Sequence, residues 1–227
     1  MPGERVTRRR ALGVLAAVGA GVAGLQAIAT SKRLGAVVHA YDVRAAAAEE
    51  IRSVGAKSID LELETLEGSG GYAREMTEER AQLQRERLAP HIAAAHAIIT
   101  TAAVPGRQAP VLVTTAMVAG MRPGSVVVDL AADSGGNVEG VTAGGVVNVP
   151  TADGLGSVQL WGGANVPSQM PGPASRLYAQ NVLNVVLLMT REAMFDPDFA
   201  DEIVAGMCVT HPGLATEAPA VDPEGTP

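Results

Sequence analysis

Residues 16–44 read AAVGAGVAGLQAIATSKRLGAVVHAYDVR, and this stretch supports two incompatible readings. Just upstream, Thr7-Arg8-Arg9-Arg10 precedes an uncharged run over residues 11–29. A basic start, an apolar run and small residues are what a twin-arginine export signal needs. The same residues also divide differently. Residues 11–18 form an apolar run of strand length. Gly19-Ala20-Gly21-Val22-Ala23-Gly24 is a turn with glycines at the first, third and sixth places. Residues 25–34 suit a helix closed by Gly35, and residues 37–41 form a second β-branched run that ends in Asp42.

Strand, glycine turn, helix, strand and acid, in that order, is the context a dinucleotide fingerprint demands. Gly19 serves the tight turn, and Gly21 lets a pyrophosphate approach the backbone. Gly24 allows the helix to pack close to the strand, and the helix N-terminus offers free N–H groups to phosphate. Asp42 lies 18 residues beyond Gly24, near the spacing for a carboxylate that accepts from ribose hydroxyls. The glycine pattern alone is weak, since 26 glycines in 227 residues supply it about 0.3 times by chance. An export signal, however, has no use for a following strand with a terminal acid. A membrane helix is disfavoured by Gly13, Gly19, Gly21, Gly24 and Gln26.

Composition narrows the class. A chain of 227 residues with 47% hydrophobic and 18% charged residues can bury a substantial core. Aromatics are 3%, so that core rests on Ala, Val, Leu and Ile, which suits parallel strands under Ala-rich helices. A net charge of −7 argues against a general nucleic-acid binder. The one cysteine, Cys208, excludes an internal disulfide and a cysteine-rich zinc site.

The remaining pattern alternates strands and helices. RAAAAEEIRSVGA reads as helix, KSIDLEL as strand and EGSGGYAREM as a glycine-rich loop. Residues 77–88 read as a charged helix, AHAIITTAAV as a buried strand and APVLVTTAMVAGM as an amphipathic helix. GSVVVDLAAD is again strand, GGNVEGVTAGG loop, SVQLWGGANV the last strand, and residues 176–189 a long apolar helix. This order predicts an α/β, doubly wound parallel sheet of the Rossmann type in three αβα layers. The expected divisions are a basic segment at 1–10, a nucleotide-binding domain at 11–165, a C-terminal helix and segment at 166–210, and a Pro-rich acidic tail at 211–227 without fixed structure. Ligands of such sheets lie beyond the C-terminal strand ends, which points to residues 19–24, 42–44, 101–104, 129–133 and 162–165.

GAGVAGLQAIATSKRLGAVVHAYDVR, GSGGYAREM, ITTAAVPGRQAPVLVT, MVAGMRPGSVVVDLAADSGGN and NVPS occur in that order. Together they resemble the NAD(H)-binding domain of the alpha subunit of proton-translocating nicotinamide nucleotide transhydrogenase, over residues 14–215. The alanine dehydrogenases share the fold but not the GGYAREM loop. The resemblance implies that Gly21, Val22, Ala23 and Gly24 hold the pyrophosphate and that Asp42, Val43 and Arg44 take the adenosine ribose. It implies that Gly70, Gly71 and Tyr72 belong to a mobile loop that closes over nucleotide, and that Gln84, Ala102 and Ala103 line the site. The family usually has a larger apolar residue at Ala103 and Glu at Asp133. The implied cofactor is NAD(H). The implied partners are NADP-binding and membrane subunits and a second copy of the chain, with location in the cytoplasm, peripheral to the inner membrane.

The residues themselves leave alternatives open. Asp42 would repel a 2′-phosphate and favour NAD, whereas Arg44 could pair with one. Tyr72 could seal the site or pack under its loop, and Gln84 on a charged helix is by default solvated. His39, His91, His96 and His211 have no partners at motif spacing. Asp129 and Asp133 resemble a carboxylate pair without a metal-ligand pattern. No catalytic acid–base set emerges, as suits hydride transfer, in which the cofactor carries the chemistry. In the family another α/β domain precedes this one, and residues 176–189 and 195–210 would return to it. Exposed apolar faces at Leu183, Val186 and Leu187 are therefore expected, with self-association or a separate partner chain covering them. The alternatives are an alanine dehydrogenase-like oxidoreductase fragment and a non-catalytic nucleotide-binding module.

Overall fold

The computed structural model describes residues 13–63, 77–104 and 106–210. In chain order the elements are β1 (Val14–Val18), α1 (Val22–Arg33), β2 (Val37–Tyr41), α2 (Ala47–Ser53), β3 (Lys57–Ser58), α3 (Glu78–Ala93), β4 (Ala97–Thr100), α4 (Thr115–Ala119), β5 (Val126–Asp129), β6 (Val146–Pro150) and β7 (Ser157–Gly162). Beyond them come α5 (Val166–Gln169), α6 (Pro171–Leu188), β8 (Thr190–Arg191), β9 (Met194–Phe195) and α7 (Glu202–Met207). The chain divides into two units between Val166 and Pro167.

The first unit holds one sheet in the order β3-β2-β1-β4-β5-β7-β6. Every pairing is parallel except that of β6 with β7. Alternation along the strands sends side chains to two cores. Leu15, Ala17, Val38 and Ala40 pack with Ile28 of α1 and Ile51 of α2 on one face. Ala16, Val18, Ile98 and Val127 pack with Leu88 and Ile92 of α3 and Val118 of α4 on the other. The result is the three-layer αβα arrangement expected from the sequence. The strand order switches sides between the parallel neighbours β1 and β4, so a crevice opens there at the C-terminal strand ends.

Several expectations need correction. The sheet is not wholly parallel, because β6 adds an antiparallel edge before the strand taken as the last. Its alternating exposure and terminal Pro150 are edge-strand features that weaken its signal. The predicted helix over APVLVTTAMVAGM shrinks to α4. Leu112 and Val113 donate their N–H groups to the Asn137 carbonyl at 2.9 and 3.0 Å, which holds that backbone extended. The helix starts only where the Thr114 hydroxyl accepts from Met117 N–H at 3.2 Å. Helix α1 begins at Val22 rather than residue 25, and α6 begins at Pro171, where prolines in the first turn need no N–H partner.

Packing of α1 on β1 depends on Gly24. A Cβ there would collide with the Gly19 carbonyl and crowd Thr101 Oγ1. We expect Gly24→Ala to lose about 1–3 kcal/mol of stability, in the range of overpacked cores, measured by urea denaturation of the purified chain.

Candidate functional site

The crevice starts at the β1–α1 turn. Gly19 has φ +97°, a conformation that side chains resist. Its N–H donates to the Tyr41 carbonyl at 2.9 Å, and its carbonyl accepts from Thr101 Oγ1 at 3.1 Å. The turn is thus tied to the ends of both neighbouring strands. Gly21 is different. It caps α1 at φ −73° and ψ −168°, a region open to any residue, and among the described residues nothing lies within 4 Å of where its Cβ would stand. Val22 beside it is 92% exposed. No side chain caps this helix, and its first turn carries no acid. The first N–H groups of α1 therefore point outward without intrahelical partners, the arrangement that attracts anions.

Asp42 closes the other side of the turn. Its Oδ2 accepts from Ala20 N–H at 2.7 Å, and its Oδ1 from Arg44 N–H at 2.9 Å. The Arg44 guanidinium grips both oxygens, Nε to Oδ1 at 3.0 Å and Nη2 to Oδ2 at 3.2 Å. This bidentate pairing is strong and directional. The hydrogen bond to Asp42 raises the pKa of Arg44 above its ordinary value, against the opposing effect of partial burial. The two residues weighed separately for ribose and phosphate thus form one unit. Beside them opens a cleft of about 220 Å³, whose lining includes Asp42, Val43, Arg44, Ile59, Leu61 and Arg80.

Gln84 is not the solvated residue its charged helix suggests. It is 1% exposed and shares the inward face of α3 with Leu88 and Ile92. Its Oε1 has no hydrogen-bond partner among the described residues, an expensive state for a buried carbonyl. Gly71 and Tyr72, with Gly70, lie outside the described residues, as do residues 1–10 and 211–227.

Beyond β4 the chain runs through Ala102 and Ala103. Ala103 is exposed and lines an open cleft of about 770 Å³ with Val104, Arg107, Gln108, Asp133 and Ser134. Asp129 and Asp133 do separate work and form no functional pair. Asp129 is fully buried. It accepts from the N–H groups of Ala131 at 2.9 Å, Asn137 at 2.7 Å and Val138 at 2.9 Å. Asp133 Oδ2 accepts from Asn165 N–H at 2.6 Å. The residue that sequence reasoning missed is Asn137, also fully buried, whose amide binds the main chain of Ala102. Its only signal was an asparagine after the glycine pair of DSGGN. Of the histidines, His96 Nδ1 accepts from Val14 N–H at 3.1 Å, and His39 sits mid-strand with its pKa lowered by burial, Lys57 and His91.

A family model, alanine dehydrogenase/PNT, C-terminal domain, matches residues 10–218. This chain belongs to the alanine dehydrogenase/PNT C-terminal domain family. An NAD(P) transhydrogenase alpha-subunit polypeptide of Rhodospirillum rubrum is 44% identical over 220 residues, covering 91% of this chain and 53% of that protein. The crystal structure of transhydrogenase from Sinorhizobium meliloti superposes with a TM-score of 0.66 at 43% identity, covering 89% of this chain and 52% of that one. An L-alanine dehydrogenase structure superposes with a TM-score of 0.58 at 25% identity, covering 78% and 43%. The chain spans about half the length of these relatives.

In this family member Tyr41 stands between the turn and the cleft. Burial pushes its phenol up to about 12, with Asp42 adding to the rise and Arg80 opposing it. A raised phenol pKa stabilises the fold below the unfolded value near 10, and that stabilisation is lost as pH climbs through about 12. Ultraviolet titration of wild type against Tyr41→Phe should therefore show one phenol ionising well above pH 10. The wild type should also lose stability relative to the variant between about pH 10 and 12.

Proposed function

We propose that this chain is the NAD(H)-binding component of a proton-translocating transhydrogenase and presents NADH for hydride transfer to NADP+ on a partner subunit. The observation that carries this reading is Gly21. Packing makes no demand for glycine there, since the backbone angles are ordinary and no atom of the described residues stands within 4 Å of its Cβ position. What a side chain would obstruct is the approach to the outward N–H groups of α1, where a pyrophosphate fits.

The other residues follow from that placement. Gly19, Val22, Ala23 and Gly24 shape the turn around the diphosphate. Asp42 already accepts from Ala20 N–H and from Arg44 N–H, Nε and Nη2, so a ribose hydroxyl reaches its carboxylate by displacing or sharing one Arg44 contact, and Val43 borders the adjoining adenine cleft. Arg44 is committed to Asp42, so a 2′-phosphate would meet a carboxylate with its neutralising cation already engaged; this favours NAD over NADP. Ala102 and Ala103 border the nicotinamide end. The unpartnered Oε1 of Gln84 suits a polar contact supplied on ligand binding, with Gly71 and Tyr72 closing over the nucleotide. The bound nucleotide supplies the hydride, and the protein orients it and excludes water.

The 44% identity to a transhydrogenase alpha-subunit polypeptide supports NADP-binding and membrane subunits as partners. Among the described residues no helix is long and apolar enough to cross a membrane. On its likeness to that alpha-subunit polypeptide we place the chain in the cytoplasm, at the membrane through those subunits. Exposed Leu183, Val186 and Leu187 on α6 suit a protein partner, including a second copy. An alanine dehydrogenase-like activity is the competing reading, drawn from the alanine dehydrogenase fold match. NADH oxidation that depends on pyruvate and ammonia would favour it.

Titration of NADH followed by fluorescence tests the site. Gly21→Val should lose only about 1 kcal/mol of unfolding free energy, the cost of an apolar residue at a helix N-cap, while NADH affinity falls about tenfold or more. Asp42→Ala should weaken NADH and narrow the preference over NADPH. Unchanged NADH affinity in Gly21→Val would overturn the placement of the pyrophosphate. Mixing with NADP-binding and membrane subunits should restore hydride transfer if the chain is a transhydrogenase component.

A further inference from the structure

We propose that Asn137 is a positioning residue for the nicotinamide half of the dinucleotide, acting through the main chain of Ala102. The inference rests on the NAD(H) reading above and adds a residue to it.

Strand β4 loses its neighbours just where the site begins. Thr101 N–H still donates to the Val18 carbonyl at 2.9 Å, and the Thr100 carbonyl still accepts from Leu130 N–H at 2.9 Å. One residue further, Asn137 takes the place of a strand. Its Oδ1 accepts from Ala102 N–H at 2.9 Å, and its Nδ2 donates to the Ala102 carbonyl at 2.8 Å. This reciprocal pair imitates one rung of a sheet ladder. The second Nδ2 hydrogen goes to the Pro110 carbonyl at 2.9 Å. One amide thereby ties Ala102 and Pro110 together, with Ala103 and Val104 presented to the open cleft.

Asn137 is held just as firmly from behind. Its N–H donates to Asp129 Oδ2, and its carbonyl accepts from Leu112 and Val113. It is fully buried, so it acts by placing backbone rather than by touching ligand. Only a primary amide supplies one acceptor and two donors in a plane at this reach. Asp at this position would turn an oxygen toward two carbonyl oxygens. The diphosphate and adenosine contacts lie elsewhere, on the β1–α1 turn and the Asp42 cleft. Ala102 backs on the turn only at Gly19, where an added Cβ would stand 2.9 Å from the Ala102 nitrogen, so an error at Ala102 should be felt most by the nicotinamide half and much less by the adenosine diphosphate half.

The test compares NADH with ADP, which shares the adenosine diphosphate half and lacks nicotinamide. Affinities of both are measured on the full chain by calorimetry for wild type, Asn137→Asp and Asn137→Ser, with thermal midpoints alongside. We expect NADH affinity to fall about tenfold or more while ADP affinity stays within about twofold. Equal weakening of both ligands, or no weakening of NADH, overturns the assignment. A wild type that binds neither ligand defeats the NAD(H) reading itself, and this inference with it. Should both variants fail to fold, hydrogen exchange on the wild type decides. Slowing of the Ala102 amide by NADH but not by ADP supports the role, and equal response to both overturns it.

Discussion

The site is organised around the carbonyl oxygen of Gly19, which has no room for a methyl group beside it. Gly24 packs against that oxygen, and Thr101 Oγ1 donates to it. The contact sets the closeness of α1 to β1, and this closeness aims the first N–H groups of α1 across the strand ends. Small side chains elsewhere answer to the same constraint. Ala17 and Ala20 share the core beneath α1, where bulkier residues would lift the helix and turn its dipole away from the crevice.

On the other side of the crevice the controlling group is a charge. A fully buried carboxylate is costly unless hydrogen bonds replace its water. Asp129 meets that requirement with backbone N–H groups from three residues, and in doing so folds the chain after β5 into a fixed loop. Gly136, at φ +86°, fits that loop because a Cβ would strike Val141 and crowd Asp129 Oδ2. The crevice thus has two unlike walls. One is shaped by absent side chains and stays open to ligand. The other is a saturated polar network, which is rigid because any partial loss leaves buried groups unpaired.

Much of the first wall was legible in the sequence, because glycine spacing and a strand-end acid depend on neighbours in the chain. Gly19, Gly21, Gly24 and Asp42 announce themselves within 24 residues. The long-range features did not. Asn137 is separated by 35 positions from Ala102, and no local pattern predicts that an amide will complete a strand ladder. Gln84 was hidden for the opposite reason. Its sequence neighbours are charged, yet its place on α3 turns it inward with Leu88 and Ile92. Strand β6 was lost because VVNVP is short, half exposed and ends in proline, properties that edge strands share with loops.

The two units differ in how they are stabilised. The first carries two cores, one on each face of its sheet. In the second, Val204 is the one buried hydrophobic side chain among the described residues, and α6 buries none over its 18 residues. Helices in proteins draw most of their stability from the packing of an apolar face. Leu183, Val186 and Leu187 follow helical spacing and stand about half exposed, so the apolar surface that would stabilise α6 remains in solvent. The first unit holds within itself the contacts that shape its crevice. The C-terminal unit buries little of its own apolar surface, so any surface that covered α6 would add to its stability.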